Sequence, residues 1–251
     1  MNATTPPQMP SVPPLNLDNS AMMTQEETAL VATWPLPSVS SDLSIDRFQL
    51  AIKRAIDLIG AVVGLTLLSP LMVAIALLIR MNSKGPALFR QLRRGYRGEL
   101  FWVLKYRTMS IDAEQRLGEL EIHNESAGGV LFKLKNDPRV TPIGQFLRRT
   151  SLDELPQLIN VLFGEMSLVG PRPLQIRDSD KLLAENPVAY ARRLEVMPGV
   201  TGPWQIGGRS ELDHVRMIEL DVEYAKNWSL TRDLMILLKT PIVVLLRKGA
   251  Y

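Results

Sequence analysis

Thr150-Ser151-Leu152-Asp153-Glu154-Leu155-Pro156-Gln157 places two adjacent carboxylates directly after Arg148 and Arg149, a layout suited to chemistry on a phosphate. Ser151 and Glu154 have the spacing of a capping box, and Pro156 comes too early for a helix interior. A helix is therefore expected to begin within a residue or two of the carboxylate pair. There the dipole and the free backbone N–H groups favour ionised carboxylates, a bound cation and phosphate oxygens together. The octapeptide alone leaves a plainer alternative equally open, in which Ser151 and Glu154 only cap a surface helix and the arginines are solvated.

Composition narrows the chemistry. The chain has no Cys, and its only histidines are His123 and His214. A thiol nucleophile, a Cys zinc site and an iron–sulfur cluster are excluded, and a His-based triad would have to rest on one of two scattered imidazoles. Neither a strand-following Gly-x-Gly-x-x-Gly nor a Walker Gly-x-x-x-x-Gly-Lys is present. Carboxylates, Arg, Lys and a hard cation such as Mg²⁺ remain for catalysis.

The elements that must position these groups differ along the chain. Residues 1–46 contain no Lys or Arg and seven prolines among Ser, Thr and Asn, which predicts a disordered Pro-rich tail. The tail lacks the basic start and apolar core of a signal peptide. It holds five of the 26 acids and none of the 29 bases, so the rest of the chain is distinctly more basic than the overall +3. That balance suits an anionic partner such as phospholipid or nucleotide. Nucleic acid is disfavoured, because aromatics are only 6% and no reading motif occurs.

Leu58 to Ile79 is a charge-free apolar run of 22 residues, long enough to cross a bilayer core of roughly 30 Å as a helix. Its middle carries Ser69-Pro70, where Pro removes a backbone hydrogen bond and Ser can satisfy a freed carbonyl. Basic residues flank both ends: Lys53 and Arg54 before it, then Arg80, Lys84, Arg90, Arg93, Arg94 and Arg97. Positive charge on both sides fits a helix that enters, breaks at Pro70 and returns to the same face, over 47–84. A simple kinked span and a buried core helix are the alternatives.

Beyond it, Phe101-Trp102-Val103-Leu104 reads as strand and Ile111 to Ile122 as helix capped by Ser110. Gly128-Gly129 marks a loop and Asn136-Asp137-Pro138 a turn. Pro198 to Gln205 is expected to be non-helical, and Gly207-Gly208 presents Arg209 on a glycine-rich loop. Leu234 to Leu246 is apolar but too short to span and broken by Lys239 and Pro241. It is expected to dock at a membrane interface, with Arg247 and Lys248 at the headgroups, or else to pack as an ordinary terminal helix.

Several blocks in order carry a family resemblance: Lys53-Arg54-x-x-Asp57, Ser69-Pro70, Lys105 to Met109, Arg148 to Gln157, Asn160-Val161-Leu162 and Met166 to Pro173. Pro198 to Gly202, Gly208-Arg209, Leu220-Asp221, Tyr224, Asn227 to Leu230 and Asp233-Leu234 continue it. Over essentially everything after residue 46, the chain resembles the monotopic phosphoglycosyl transferases, bacterial sugar transferases that start glycan assembly on polyprenol phosphate. The resemblance implies an α+β, predominantly helical protein. A broken re-entrant helix would sit in the bacterial inner membrane, and a catalytic domain with interfacial helices over 85–251 would lie on its cytoplasmic face.

The activity it implies is transfer of sugar 1-phosphate from a UDP-sugar to undecaprenyl phosphate with release of UMP, the first membrane step of exopolysaccharide, capsule or O-antigen synthesis. Matched by position, Asp153 is the nucleophile that forms an aspartyl phosphosugar, and Glu154, with Asp153, holds Mg²⁺. Arg148 and Arg172 meet the diphosphate, Arg209 a phosphate or the nucleotide, and Lys105 supplies a supporting charge. Gly-Pro-Trp-Gln and Asn-Trp-Ser-Leu look closer to members that transfer glucose or galactose 1-phosphate than to amino-sugar members. Pro203 stands where the family more often has an apolar or Trp residue. Larger members carry spanning helices and a soluble domain before this core, so a minimal form is expected. Membrane lipids, a second copy of the chain and other glycan-assembly enzymes are candidate partners. A non-catalytic membrane-bound organiser of glycan assembly would share the anchor but have no use for two carboxylates and three arginines together. A transporter would need further spans.

Overall fold

The apolar run forms the middle of one 36-residue helix, α1 (Arg47–Asn82), in a computed structural model that describes residues 47–120, 134, 136–209 and 212–246. The Pro-rich tail, His123, Gly128-Gly129 and Arg247-Lys248 lie outside the described residues. Pro70 has no N–H for the carbonyl of Thr66, and Ser69 Oγ takes that place, donating to Thr66 O at 2.8 Å. The helix consequently runs through Ser69-Pro70 uninterrupted, where the sequence predicts a break. Among the described residues it is the one helix long and apolar enough to cross a membrane.

Both ends of α1 are fastened to the same body. Near its start, Lys53 Nζ donates to Asp233 at 2.5 Å and to Val169 O at 3.0 Å, and Arg54 donates to Val161 O and Leu162 O at 2.7 and 3.0 Å. Asp57 accepts from Ser167 Oγ and Leu168 N, both at 2.9 Å. Near its end, Tyr106 OH donates to Met72 O at 2.7 Å, and Arg107 donates to Lys84 O and Ser83 O at 2.7 and 3.1 Å. The flanking bases thus need correcting: Lys53 and Arg54 bind protein oxygens, and Arg93 and Arg94 are buried, which leaves Arg80, Lys84, Arg90 and Arg97 at the surface.

β1 (Leu88–Arg94) and β2 (Leu100–Tyr106) pair as an antiparallel hairpin with Phe89 opposite Lys105. Phe101, Val103 and Lys105 share one face by the two-residue period of a strand. The first two fill the core with Ala61, Val161 and Met166, so Lys105 stands where alternation would place another apolar side chain. Of the stretch predicted helical from Ile111 to Ile122, Glu121 and Ile122 lie outside the described residues, and among the rest only α2 (Leu117–Leu120) is a helix. Ala113 N bonds Ser110 O and Leu117 N bonds Glu114 O, so residues 111–116 close as successive tight turns and Ser110 caps no helix.

α3 (Pro142–Thr150), α4 (Gln157–Phe163) and β3 (Ser167–Val169) follow, then α5 (Ile176–Glu185), α6 (Pro187–Arg193) and β4 (Gly199–Thr201). β4 lies parallel to β3, with Ser167 opposite Gly199 and Val169 opposite Thr201. Gly170 permits this contact, since a Cβ there would sit 2.1 Å from Met197 O. α7 (Pro203–Gly207) is a short helix where none was expected: Pro203 sits at its first turn, where a missing N–H does no harm, and Trp204 and Gln205 are buried. α8 (His214–Lys226) and α9 (Leu230–Leu246) complete the described residues, and α9 runs through Pro241. It buries Asp233 and Ile236 and exposes Leu234, Met235, Leu238, Ile242, Leu245 and Leu246.

Candidate active site

Asp153 and Glu154 lie in a 3-10 turn, Leu152–Glu154, that links α3 to α4. The expected capping box is absent. Ser151 takes the left-handed conformation, φ 56°, its N–H closes α3 onto Arg148 O and Leu147 O, and its side chain caps nothing. α4 starts only at Gln157, with Pro156 as its N-cap. Asn160 of α4 then docks this unit on β2 like an extra strand, accepting from Leu104 N at 3.0 Å and donating to Trp102 O at 2.7 Å. That contact brings the turn to Lys105.

Glu154 Oε1 receives Lys105 Nζ at 3.0 Å and Arg172 Nη1 at 2.8 Å. Burial would raise its carboxyl, but Arg172 and Lys105 outweigh that and hold it well below the usual carboxylate range. Asp153 behaves oppositely. Among the described residues its carboxylate accepts no hydrogen bond, and burial together with the neighbouring Glu154 charge pushes it up to about 6, against the pull of Lys105, Arg148 and Arg172. Burial lowers Lys105 to about 8, with Glu154 supporting its charge and Arg172 and Arg93 opposing it.

The remaining predicted residues converge less tightly. Arg148 is anchored by Nε to Thr108 Oγ1 at 2.9 Å and acts electrostatically on Asp153. Arg172 lies over the Trp204 ring, 5.4 Å from its centroid. Arg209, at φ 53°, donates to Gln205 O at 3.3 Å and reaches the dyad only through its field. His214 sits at the start of α8, away from these groups, with Glu185 at 3.9 Å.

Three residues of the surroundings were not among the site residues expected from the sequence. Arg93, read there as a flanking base, is buried beside Arg172 and Glu154 and donates to Pro173 O. Arg193 and Asp221 form a buried ion pair at 2.7 Å, and Arg193 Nη2 also donates to Arg172 O at 2.8 Å. Only Asp221 fell within a recognised block.

The carboxylate dyad among Lys105, Arg148 and Arg172 lies within residues 48–247, the stretch matched by the family model for bacterial sugar transferases. The chain belongs to the bacterial sugar transferase family. The galactosyl transferase CpsE of Streptococcus agalactiae is 44% identical over 203 residues, covering 80% of this chain and 44% of that one. The undecaprenyl-phosphate galactose phosphotransferase of Salmonella typhimurium is 39% identical over 253 residues, 100% of this chain and 50% of its own. The UDP-glucose:undecaprenyl-phosphate glucose-1-phosphate transferase of Caulobacter vibrioides is 40% identical over 222 residues, with 86% and 75% covered. The chain thus spans about half the length of the first two relatives.

Proposed function

We propose that the chain transfers sugar 1-phosphate, glucose or galactose 1-phosphate, from a UDP-sugar to undecaprenyl phosphate and releases UMP. The observation that carries this reading is the unequal dyad: Glu154 is held by two cations while Asp153 lies beside it with its oxygens accepting no hydrogen bond among the described residues. An ionised Asp153 oxygen attacks the sugar-bearing phosphorus, the bond from that phosphorus to the bridging oxygen breaks, and UMP leaves with the electron pair. An oxygen of the lipid phosphate then attacks the same phosphorus and displaces Asp153. Arg172 and Arg148 offer forked donors to the diphosphate as its charge shifts, and Lys105 keeps Glu154 ionised.

The carboxylate pair also suits Mg²⁺, which is commonly held by one or two carboxylates with phosphate oxygens completing its shell. Among the described residues no three His, Cys, Asp or Glu side chains are grouped to hold a metal ion, so this pair alone would supply the protein's ligands. Asp153 and Glu154 would hold the ion, which when bound would neutralise phosphate oxygens.

The membrane reading is a monotopic one, with α1 entering and leaving the cytoplasmic face of the bacterial inner membrane. A bilayer core of roughly 30 Å would part the two ends of a spanning helix. Here one polar body holds Lys53 at one end and Ser83 and Lys84 at the other, and Leu67, Leu71 and Val73 are exposed between them. The exposed apolar face of α9 would add a second docking contact with the membrane.

The test is UMP release from the detergent-solubilised chain given UDP-glucose, UDP-galactose and other UDP-sugars with Mg²⁺ and undecaprenyl phosphate. UMP formed only when donor and lipid phosphate are present supports the reading and names the sugar. No UMP from any donor points instead to the organiser role.

A further inference from the structure

Pro171-Arg172-Pro173 has a single backbone N–H, that of Arg172, because proline has none. Its carbonyls still need donors if they are buried. The segment is supplied from four directions. Val169 O, just before it, accepts from Lys53 Nζ at 3.0 Å, and Pro171 O accepts from Gly199 N at 2.9 Å. Arg172 O accepts from Arg193 Nη2 at 2.8 Å, and Pro173 O accepts from Arg93 Nη1.

The last two donors are unusual. Both are buried guanidinium groups, and they bind consecutive carbonyls. Arg193 is closed on its other side by Asp221 Oδ2, at 3.0 Å from Nε and 2.7 Å from Nη2, and Asp221 has no exposed surface. Arg93 is steadied by Gln91 Oε1 at 2.7 Å and by backbone pairing with Gln175. Taking these charges out of water is expensive, and well-packed apolar side chains would serve a core as well or better. Their targets are the carbonyl of Arg172, the residue whose side chain meets Glu154, and the carbonyl of the residue that follows it.

We propose that Arg93 and the Arg193–Asp221 pair are positioning residues that fix the backbone of Arg172, and through it the point where the Arg172 guanidinium meets Glu154 and a substrate phosphate. This rests on the reading of Arg172 as a phosphate ligand. The Arg172 side chain is long and flexible, so its direction depends on a backbone held at its base. The following Pro173 already restricts Arg172 to extended conformations, and the two clamps select one of them. A displacement of about 1 Å at such a group can cost on the order of 10²-fold in rate.

The experiment compares the full chain in detergent with the double variant Arg193→Met/Asp221→Leu, which removes both partners so that no buried charge is left alone. Arg93→Lys, which keeps the charge and loses the fork, serves as the second variant. The double variant is expected to retain a cooperative thermal transition while kcat for UMP release falls on the order of 10²-fold. In an Arg172→Ala background the same double change should add nothing, because the clamp acts only through Arg172. Arg93→Lys should reduce kcat in the same direction by less. Unchanged kcat, or losses that multiply with that of Arg172→Ala, overturn the proposal. Should the double variant fail to fold, Arg93→Lys tested alone against Arg172→Ala decides in the same way. If the unmodified chain releases no UMP from any donor, the reading of Arg172 fails separately. A crystal structure of Arg93→Lys then decides the positioning: Arg172 still on Glu154 overturns it, and Arg172 displaced upholds it.

Discussion

Asp153 and Glu154 are adjacent in sequence and shifted in opposite directions, Glu154 held ionised by Arg172 and Lys105 and Asp153 pushed up to about 6 by burial and by Glu154 itself. The division is geometric. The 3-10 turn points Glu154 at two cations that bind its Oε1, whereas Asp153 meets the same cations only through their field. A carboxylate that accepts no hydrogen bonds keeps its lone pairs for another atom. A carboxylate fixed by two cations is suited to hold and to organise.

Asp153→Asn should therefore abolish turnover, by on the order of 10⁴-fold or more, with little change in thermal stability. The amide keeps the shape and gives up no hydrogen bond. Glu154→Gln should lower both activity and stability, because Lys105 and Arg172 lose their anionic partner. UMP release and thermal unfolding of both variants check this, and substantial turnover by the Asn variant would remove Asp153 from its role.

The dependence on pH follows from the same charges. With Asp153 as the nucleophile its anion would be the reactive form, so kcat/KM should rise as pH rises through about 6. The cation of Lys105 is the useful form, so kcat/KM should fall as pH rises through about 8. Arg does not titrate in this range, so Lys105→Arg should remove the alkaline limb and leave the acid limb in place. An alkaline limb that persists near 8 in that variant would assign it to another group.

The dyad and its cations are legible in the sequence because they lie in short contiguous blocks. The hairpin strand at Phe101 and the long apolar helix are legible from periodicity and length. What is not legible depends on contacts distant in the chain. Ser151 and Glu154 have capping-box spacing, yet Ser151 closes the C-terminus of α3 at positive φ, and α4 starts only at Gln157. Pro203 looks like a helix breaker, yet at a first turn it starts one. Arg93 and Arg193 look like surface charge because their acceptors, backbone carbonyls at 173 and 172, carry no side-chain signature.

Gly144 offers a test of how α3 presents Arg148. Ala in a helix interior ordinarily gains about 0.5–1 kcal/mol over Gly. Here a Cβ would sit 1.9 Å from Thr108 O, which also accepts from Thr141 N at the start of α3. Gly144→Ala should thus destabilise by about 2 kcal/mol or more, seen as a drop in Tm of roughly 4–8 °C. UMP release should fall too, since Thr108 Oγ1 anchors Arg148. A Tm that holds or rises would mean that α3 shifts without penalty.

The topology of α1 is open to a labelling test, because the chain has no native Cys. Ser83 is a poor reporter, since its Oγ accepts from Arg107 at 2.8 Å. Arg47 and Asn82 are exposed at the two ends of the helix and serve better. If α1 enters and leaves one face, Arg47→Cys and Asn82→Cys should both resist a membrane-impermeant thiol reagent on intact cells and both react once the cells are opened. Labelling of Arg47→Cys alone on intact cells would mean a spanning helix. That arrangement would also require Lys53 to leave Asp233 and Arg54 to leave the carbonyls of 161 and 162, so a cross-link between residues 53 and 233 in membranes gives an independent answer. Pro70→Ala restores the hydrogen bond to Thr66 O and stiffens the helix, and should raise the fraction labelled from outside if a bend at Pro70 is what returns the chain.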